Sequence, residues 1–253
     1  MIVAAILATA RPVAADQQYN VTGNDSYHIG GADGQHTHIV YAGVQRLRVV
    51  RNGRNTEYVA NVRYTRAQSG GSTVVHASFV QVLRPDGSFT DSDDADPDFL
   101  TILNQPFAVT LDPVTLRAIE HLHGKVPFEA NSPLGHATLT GFLRPGARGL
   151  VSGHPVVGVA FEADGPMTGG LPESVAATSI AGTIRMDGTA YYATQSALLM
   201  ALDARLTIVG TLKNAANAMP VRIVYRRSIR ATDAPPPLSK SGDELHLKGM
   251  PER

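Results

Sequence analysis

The last third of the chain alternates regularly between apolar and polar residues. Residues 200–213 and 220–231 both follow a period of two, which is typical of a half-buried β-strand. A short NAANAM link joins the two segments and favours a hairpin loop. The apolar face of the pair carries Leu202, Leu206, Ile208, Val221, Ile223 and Tyr225.

Similar β-rich stretches occur through most of the chain. They lie at 38–50, 56–67, 72–84, 136–144, 154–163 and 178–192. Gly and Pro turn signals such as Asn52-Gly53 and Pro145-Gly146 separate them. The sequence therefore predicts a mainly β protein with about eight long strands. Long antiparallel strands with one polar face favour a single curved sheet, arranged as a half-barrel, a barrel or a sandwich-like fold.

A short helical insertion is expected near residues 96–123. Asp96-Pro97 and Asp112-Pro113 each place an N-cap carboxylate before a proline at the first helical position. The first predicted helix carries Phe99 and Leu103, and the second carries Ile119. We expect these apolar side chains to plug an open face of the sheet.

The two ends of the chain read differently from the β-rich domain at 16–231. Residues 1–15 combine an apolar run with small residues at Val13 and Ala15, a pattern that predicts a signal peptide cleaved after Ala15. The usual basic residue before the apolar run is missing, so a buried N-terminal segment is the alternative. Residues 232–253 contain three consecutive prolines and mixed charges, which predicts a flexible tail. We therefore expect an exported protein, periplasmic or extracellular.

Charge and composition narrow the function classes. The 253 residues include 22 Lys and Arg against 22 Asp and Glu, which argues against a nucleic-acid partner. The sequence has no Cys, so disulfides and thiolate chemistry are excluded. The N-terminal run is shorter than the roughly 20 apolar residues that span a bilayer, so no transmembrane span is predicted. Nucleophile signatures such as GxSxG and HExxH are also absent.

Two clusters contain residues that could bind a metal. His36 and His38 point to the same face of a strand and could share one ion if a third ligand joined them. Asp91 and Asp93 belong to an acidic run that could supply oxygen ligands to Ca²⁺, although the run does not fit the EF-hand template. The alternatives are exposed histidines and an exposed acidic loop. No cofactor is predicted beyond this unproven divalent metal.

A group of arginines near the C-terminal strand could form a basic face. Arg222, Arg226 and Arg230 share one side of that strand, and Arg227 follows Arg226 directly. Such a face could meet an anionic lipid or polysaccharide. Pairing of these arginines with Asp203 on the neighbouring strand is the simpler interpretation.

The sequence favours an exported, non-catalytic β-rich protein whose apolar interior binds or carries a hydrophobic small molecule or lipid. The predicted lining is Phe99, Leu103, Ile119, Leu202, Leu206, Ile208, Val221, Ile223 and Tyr225. The same residues could instead fill a dry core. Two other hypotheses are a metal-dependent exported enzyme using His36 and His38, and a structural or adhesive envelope module. The sequence does not predict an oligomeric state.

Overall fold

A computed structural model of the protein describes residues 16–31, 33–85, 98–105, 109–111, 113–131, 138–170, 179–213 and 217–232. Within these ranges the chain forms ten strands, one short 3-10 helix at Ile102–Asn104 and one α-helix, α1, at Pro113–Glu120. Four strands precede α1: β1 (Asp16–Ile29), β2 (Gln35–Asn52), β3 (Asn55–Gln68) and β4 (Gly71–Leu83). Six follow it: β5 (Val126–Asn131), β6 (Thr138–Val151), β7 (His154–Gly170), β8 (Ser179–Ala193), β9 (Leu199–Lys213) and β10 (Ala218–Ala231).

All ten strands belong to one antiparallel sheet in the order β4-β3-β2-β1-β10-β9-β8-β7-β6-β5. Every sequential neighbour pairs except β4 with β5, and the first strand pairs with the last at the middle of the sheet. The described strands leave the sheet open, with β4 and β5 at its two edges. The prediction of a mainly β protein with one antiparallel sheet and a short helical insertion is confirmed, and the sheet does not close into a barrel.

Two strands escaped the sequence analysis. β1 alternates in burial, but Gly23 and Asp25 occupy buried positions where the pattern expects large apolar side chains. β5 is only six residues long and contains Pro127, which is typical of an edge strand. The expected turn at Pro145-Gly146 is instead an irregularity in the β6–β7 pairing between Pro145 and Arg148, and β6 continues through it.

The apolar side chains of the sheet meet α1 and residues 98–105 on one face, which we call the inner face. Leu100 and Ile102 have no solvent-exposed area, and Leu116 and Ile119 of α1 are buried with them. The expected helix after Asp112-Pro113 is confirmed. Asp96 and Pro97, the predicted start of the other helix, lie outside the described residues; after them residues 98–101 are not helical, and only the 3-10 helix at Ile102–Asn104 follows. We call residues 98–105 the plug segment.

The predicted signal peptide lies outside the described residues, and so does the predicted tail apart from Thr232. The backbone N–H of Thr232 donates to the carbonyl oxygen of Gln18 at 2.9 Å, which places the end of β10 beside β1. No helix in the described part of the chain is long and apolar enough to cross a membrane.

Candidate functional site

A buried ion pair lies at the middle of the sheet, where β1 pairs with β10. Asp25 has no exposed area and Arg227 is 6% exposed. Nη1 of Arg227 donates to Oδ1 of Asp25, and Nη2 donates to Oδ2 at 3.1 Å. Both side chains point to the inner face, so a largely apolar surface carries two opposite charges. Charges in such surroundings persist only when each is paired and hydrogen-bonded.

The Arg227 guanidinium also attaches the plug segment to the sheet. Its Nε donates to the carbonyl oxygen of Phe99 at 3.2 Å, and its Nη2 donates to that of Asp98 at 2.6 Å. The aromatic rings of Tyr41 and Tyr225 lie 5.1 and 5.6 Å from the guanidinium carbon, within the range of cation–π attraction. Arg227 therefore joins three elements, β1, β10 and the plug segment.

Gly23 provides the space for this arrangement. A Cβ atom at this position would lie 3.0 Å from Nη1 of Arg227 and 3.0 Å from Cδ2 of Leu100. Contacts that short require the neighbour to move. The absence of a side chain on β1 thus allows the guanidinium and the plug segment to pack directly on the backbone.

The carboxylate of Asp98 occupies a second polar site on the same face. The hydroxyl of Tyr41 donates to its Oδ1 at 3.0 Å, and the hydroxyl of Tyr64 donates to its Oδ2 at 2.6 Å. Nε of Arg66 lies 3.8 Å from Oδ1. The carboxylate belongs to the plug segment, whereas Tyr41, Tyr64 and Arg66 belong to β2 and β3. The sheet therefore presents a preformed set of donors to one anion.

The plug segment also makes a hydrogen bond to Gln45, but two features of its packing are unfavourable. The backbone N–H of Ile102 donates to Oε1 of Gln45 at 3.1 Å. Nε2 of the same Gln45 side chain is buried and has no hydrogen-bond partner among the described residues. Phe99 adopts a φ of 50°, a left-handed conformation that is uncommon for a residue other than glycine. The plug segment is held by strong polar contacts, but its fit to the sheet is strained in two places.

Burial controls the ionisation of the groups around the ion pair. It raises the pKa of Asp25, while the hydrogen bonds and charge of Arg227 oppose that shift. Burial is also the main cause of a raised pKa at six tyrosines, which therefore keep their hydroxyl protons at neutral pH. They are Tyr19, Tyr27, Tyr41, Tyr58, Tyr192 and Tyr225. The phenol of Tyr41 accordingly acts as a donor to Asp98.

The nine residues predicted to line a ligand site all lie in or against one hydrophobic cluster. Six are buried within it: Ile119, Leu202, Ile208, Val221, Ile223 and Tyr225. Phe99, Leu103 and Leu206 are partly buried and pack against it. The ring of Phe99 packs edge-on against Tyr225, with centroids 6.0 Å apart. The lining role stays a prediction; Phe99 and Leu103 belong to the plug segment itself, and Tyr225 lies against both Phe99 and Arg227.

His36 and His38, the predicted metal ligands in the described residues, have no third ligand beside them. Nε2 of His38 lies 2.8 Å from Oδ1 of Asn24, and the ring of His36 stacks on that of His28 with centroids 4.0 Å apart. Among the described residues, no group of three His, Cys, Asp or Glu side chains could hold an ion. Asp91 and Asp93 lie outside the described residues.

The arginines of β10 separate onto two faces. Arg222, Arg226 and Arg230 lie on the outer face, where Arg230 forms an ion pair with Asp203. The predicted pairing with Asp203 is therefore confirmed for Arg230. Arg227 does not belong to the outer basic group, because it points into the core. Arg205 forms a second ion pair on this face, with Asp187 at 2.9 Å.

Sequence reasoning missed the ion pair and the anion site. Asp25 and Arg227 are 202 residues apart, and Asp98 is 57 residues from Tyr41. One signal was present in the sequence. Asp25 lies at the same spacing of two as Tyr19 and Val21, which places its carboxylate on the face that those apolar residues bury.

No protein-family model and no curated protein matches the chain. Among solved structures, one similarity is to a conserved protein of unknown function with a hot dog fold from Alicyclobacillus acidocaldarius. The two chains are 12% identical, and the match covers 89% of this chain and 82% of the other. The TM-score is 0.09, a value that supports no conclusion about fold or function.

Proposed function

We propose that the protein is an exported, non-catalytic binding or carrier protein that takes an apolar or lipid ligand on the inner face of its sheet. The observation that supports this proposal is the way the plug segment covers Arg227. The segment lies on an apolar surface, yet it is attached through a buried charge and two carbonyl oxygens.

A purely structural core does not need such an attachment. A buried ion pair adds little net stability over well-packed apolar side chains of the same size. Polar groups of fixed geometry within an apolar surface are instead the usual composition of a ligand site. A ligand oxygen could replace the carbonyl oxygens that accept from Arg227. This favours a plug segment that a ligand can displace over one that is a permanent part of the core.

Export rests on the sequence pattern of residues 1–15. The metal-dependent enzyme has no supporting observation, since His36 and His38 are engaged with His28 and Asn24. A structural or adhesive envelope module remains the competing hypothesis, and it predicts that no ligand copurifies.

Native mass spectrometry of the full 253-residue chain, produced in a bacterium and recovered from the periplasm, tests the proposal. We expect an excess mass that denaturation releases and organic solvent extracts, on a chain shortened at its N-terminus by the predicted signal peptide. The same protein after solvent extraction and refolding is the control for adducts that are not displaceable.

A bare mass that stays bare after incubation with total bacterial lipid would contradict the binding function. A chain that keeps residues 1–15 and remains in the cytoplasm would contradict export. A stoichiometric metal adduct that the double variant His36→Ala/His38→Ala loses would favour the enzyme instead.

A further inference from the structure

We propose that the ligand is a single-chain amphiphile with a carboxylate head group, which displaces the plug segment and places its carboxylate where the Asp98 side chain lies. This inference rests on the proposed function and adds the chemical class of the ligand. It follows from the chemistry of the plug segment itself, in which a carboxylate is followed directly by buried apolar side chains.

The head-group site is built by the sheet and not by the plug segment. Tyr41 and Tyr64 each donate a hydroxyl to one oxygen of the Asp98 carboxylate, and Arg66 faces the same group from 3.8 Å. These donors would meet the two oxygens of any carboxylate with the same geometry. The side chain of Arg66 is 39% exposed and that of Asp98 is 13% exposed. The site therefore lies near the solvent, where a head group can enter.

Charge balance favours an anion over an uncharged ligand. Asp25 and Arg227 neutralise each other on the inner face, and Asp98 brings the further negative charge that faces Arg66. Displacement of the plug segment removes that charge, together with the two carboxylate oxygens that accept from Tyr41 and Tyr64. A ligand carboxylate restores one negative charge and supplies two acceptor oxygens, whereas an alcohol supplies neither the charge nor the second oxygen.

The apolar part of the ligand corresponds to the residues that follow Asp98. Leu100 and Ile102 have no exposed area, and Phe99 packs against Tyr225. The chain from Asp98 to Ile102 spans at most about 14 Å when extended. An alkyl chain of comparable length would cover the same apolar surface of β1, β2 and β10.

The fit of the plug segment is consistent with its replacement. Phe99 holds a left-handed backbone conformation, and Nε2 of Gln45 is buried without a partner among the described residues. Both features weaken the covered state, and departure of the segment relieves the strained backbone at Phe99. An amphiphile therefore competes with a cover that is held less firmly than its buried area alone indicates.

Titration calorimetry with dodecanoate and with dodecanol tests the head group, using the full chain freed of copurified lipid. We expect dodecanoate to bind at least about tenfold more tightly, because the charge-assisted hydrogen bonds of the carboxylate are lost with the alcohol. Hydrogen exchange supplies a second readout that needs no variant. Dodecanoate should raise amide exchange in residues 98–105 and lower it in β2 and β3.

The variant Asp98→Asn weakens the internal competitor and should strengthen the binding of dodecanoate and dodecanol alike by about tenfold, because either compound has to displace the plug segment. Adding Tyr64→Phe to that variant should reduce dodecanoate binding more than dodecanol binding, since the carboxylate then loses a donor. Asp203→Asn is the matched control, because it makes the same change on the outer face.

Equal binding of dodecanoate and dodecanol would overturn the carboxylate head group and leave an apolar binding function in place. Binding of dodecanoate without increased exchange in residues 98–105 would overturn the displacement. Failure of both compounds to bind the original protein and the Asp98→Asn variant would overturn the proposed function together with this inference.

Discussion

Replacing both members of the Asp25–Arg227 pair is expected to destabilise the protein by much less than the sum of the two single replacements. Asp25→Asn leaves the guanidinium, which is 6% exposed, without its counter-ion, and breaking a buried pair in this way costs about 3–5 kcal/mol. Arg227→Met leaves the carboxylate unpaired and removes the donors to Asp98 and Phe99, at a similar cost of about 3–5 kcal/mol. Independent effects would sum to about 6–10 kcal/mol.

The destabilisation of the double variant Asp25→Asn/Arg227→Met should be smaller than that sum by about 2–3 kcal/mol, because no uncompensated charge of this pair remains in the core. Urea unfolding followed by circular dichroism gives the four free energies of unfolding that the cycle needs. The pair Asp203→Asn and Arg230→Met on the outer face is the control, and its cycle should close within about 1 kcal/mol.

The pH dependence of the Arg227→Met variant gives the same reasoning an independent check. Burial raises the pKa of Asp25 above its ordinary value of 3.8, and Arg227 is the group that opposes this shift. The variant should therefore be most stable below the ordinary pKa and should lose stability as pH rises through the folded-state pKa. The double variant lacks the carboxyl group and should not show this loss.

A double variant destabilised by the full sum, to within about 0.5 kcal/mol, would refute the reasoning. Such a result would mean that the two side chains contribute through separate contacts and not through each other. An Arg227→Met variant whose stability rises between pH 4 and pH 8 would refute the assignment of a raised pKa to Asp25.

Three further predictions concern the sheet as a whole. Gly43→Ala should destabilise the protein by about 3 kcal/mol in urea unfolding, because the new Cβ would lie 2.3 Å from the carbonyl oxygen of Arg63. Gly149→Ala is the control: a Cβ there would have no heavy atom within 4 Å, so stability should change by less than about 0.5 kcal/mol. Ile208→Ala should lower the free energy of unfolding by about 2–5 kcal/mol. Val209→Ala, one residue later on β9 but 47% exposed, should lower it by under about 1 kcal/mol. Equal decreases would contradict the assignment of Ile208 to the buried face. Burial strongly raises the pKa of Tyr19 and Tyr192, so above pH 10 each should lower the free energy of unfolding by about 1.4 kcal/mol per pH unit. Phenolate absorbance of these two tyrosines should therefore rise together with unfolding and not before it.

Much of the strand pattern could be predicted because it depends on short-range alternation. The period of two in β9 and β10 identified both strands and correctly separated Ile208 from Arg205. Asp112-Pro113 likewise predicted the start of α1, since helix initiation is governed by the few residues around it.

β1 could not be predicted in the same way, because its inner face is suited to the plug segment and to Arg227. Gly23 and Asp25 interrupt the apolar series at the two positions where the guanidinium packs and pairs. A glycine and an aspartate at these buried positions are explained only by β10, which pairs with β1 although Asp25 and Arg227 are 202 residues apart.

The amino-acid sequence by itself therefore determined the mainly β class of the structure. It also determined which residues of β9 and β10 share a face, and where the one α-helix in the described residues begins. Local periodicity and capping carry that information. The tertiary structure alone decided that the first strand pairs with the last, that Asp25 meets Arg227, and that the carboxylate of Asp98 lies between Tyr41 and Tyr64. The physical reason is that burial and pairing of a charge depend on what the rest of the chain places around it, and no local pattern records those partners.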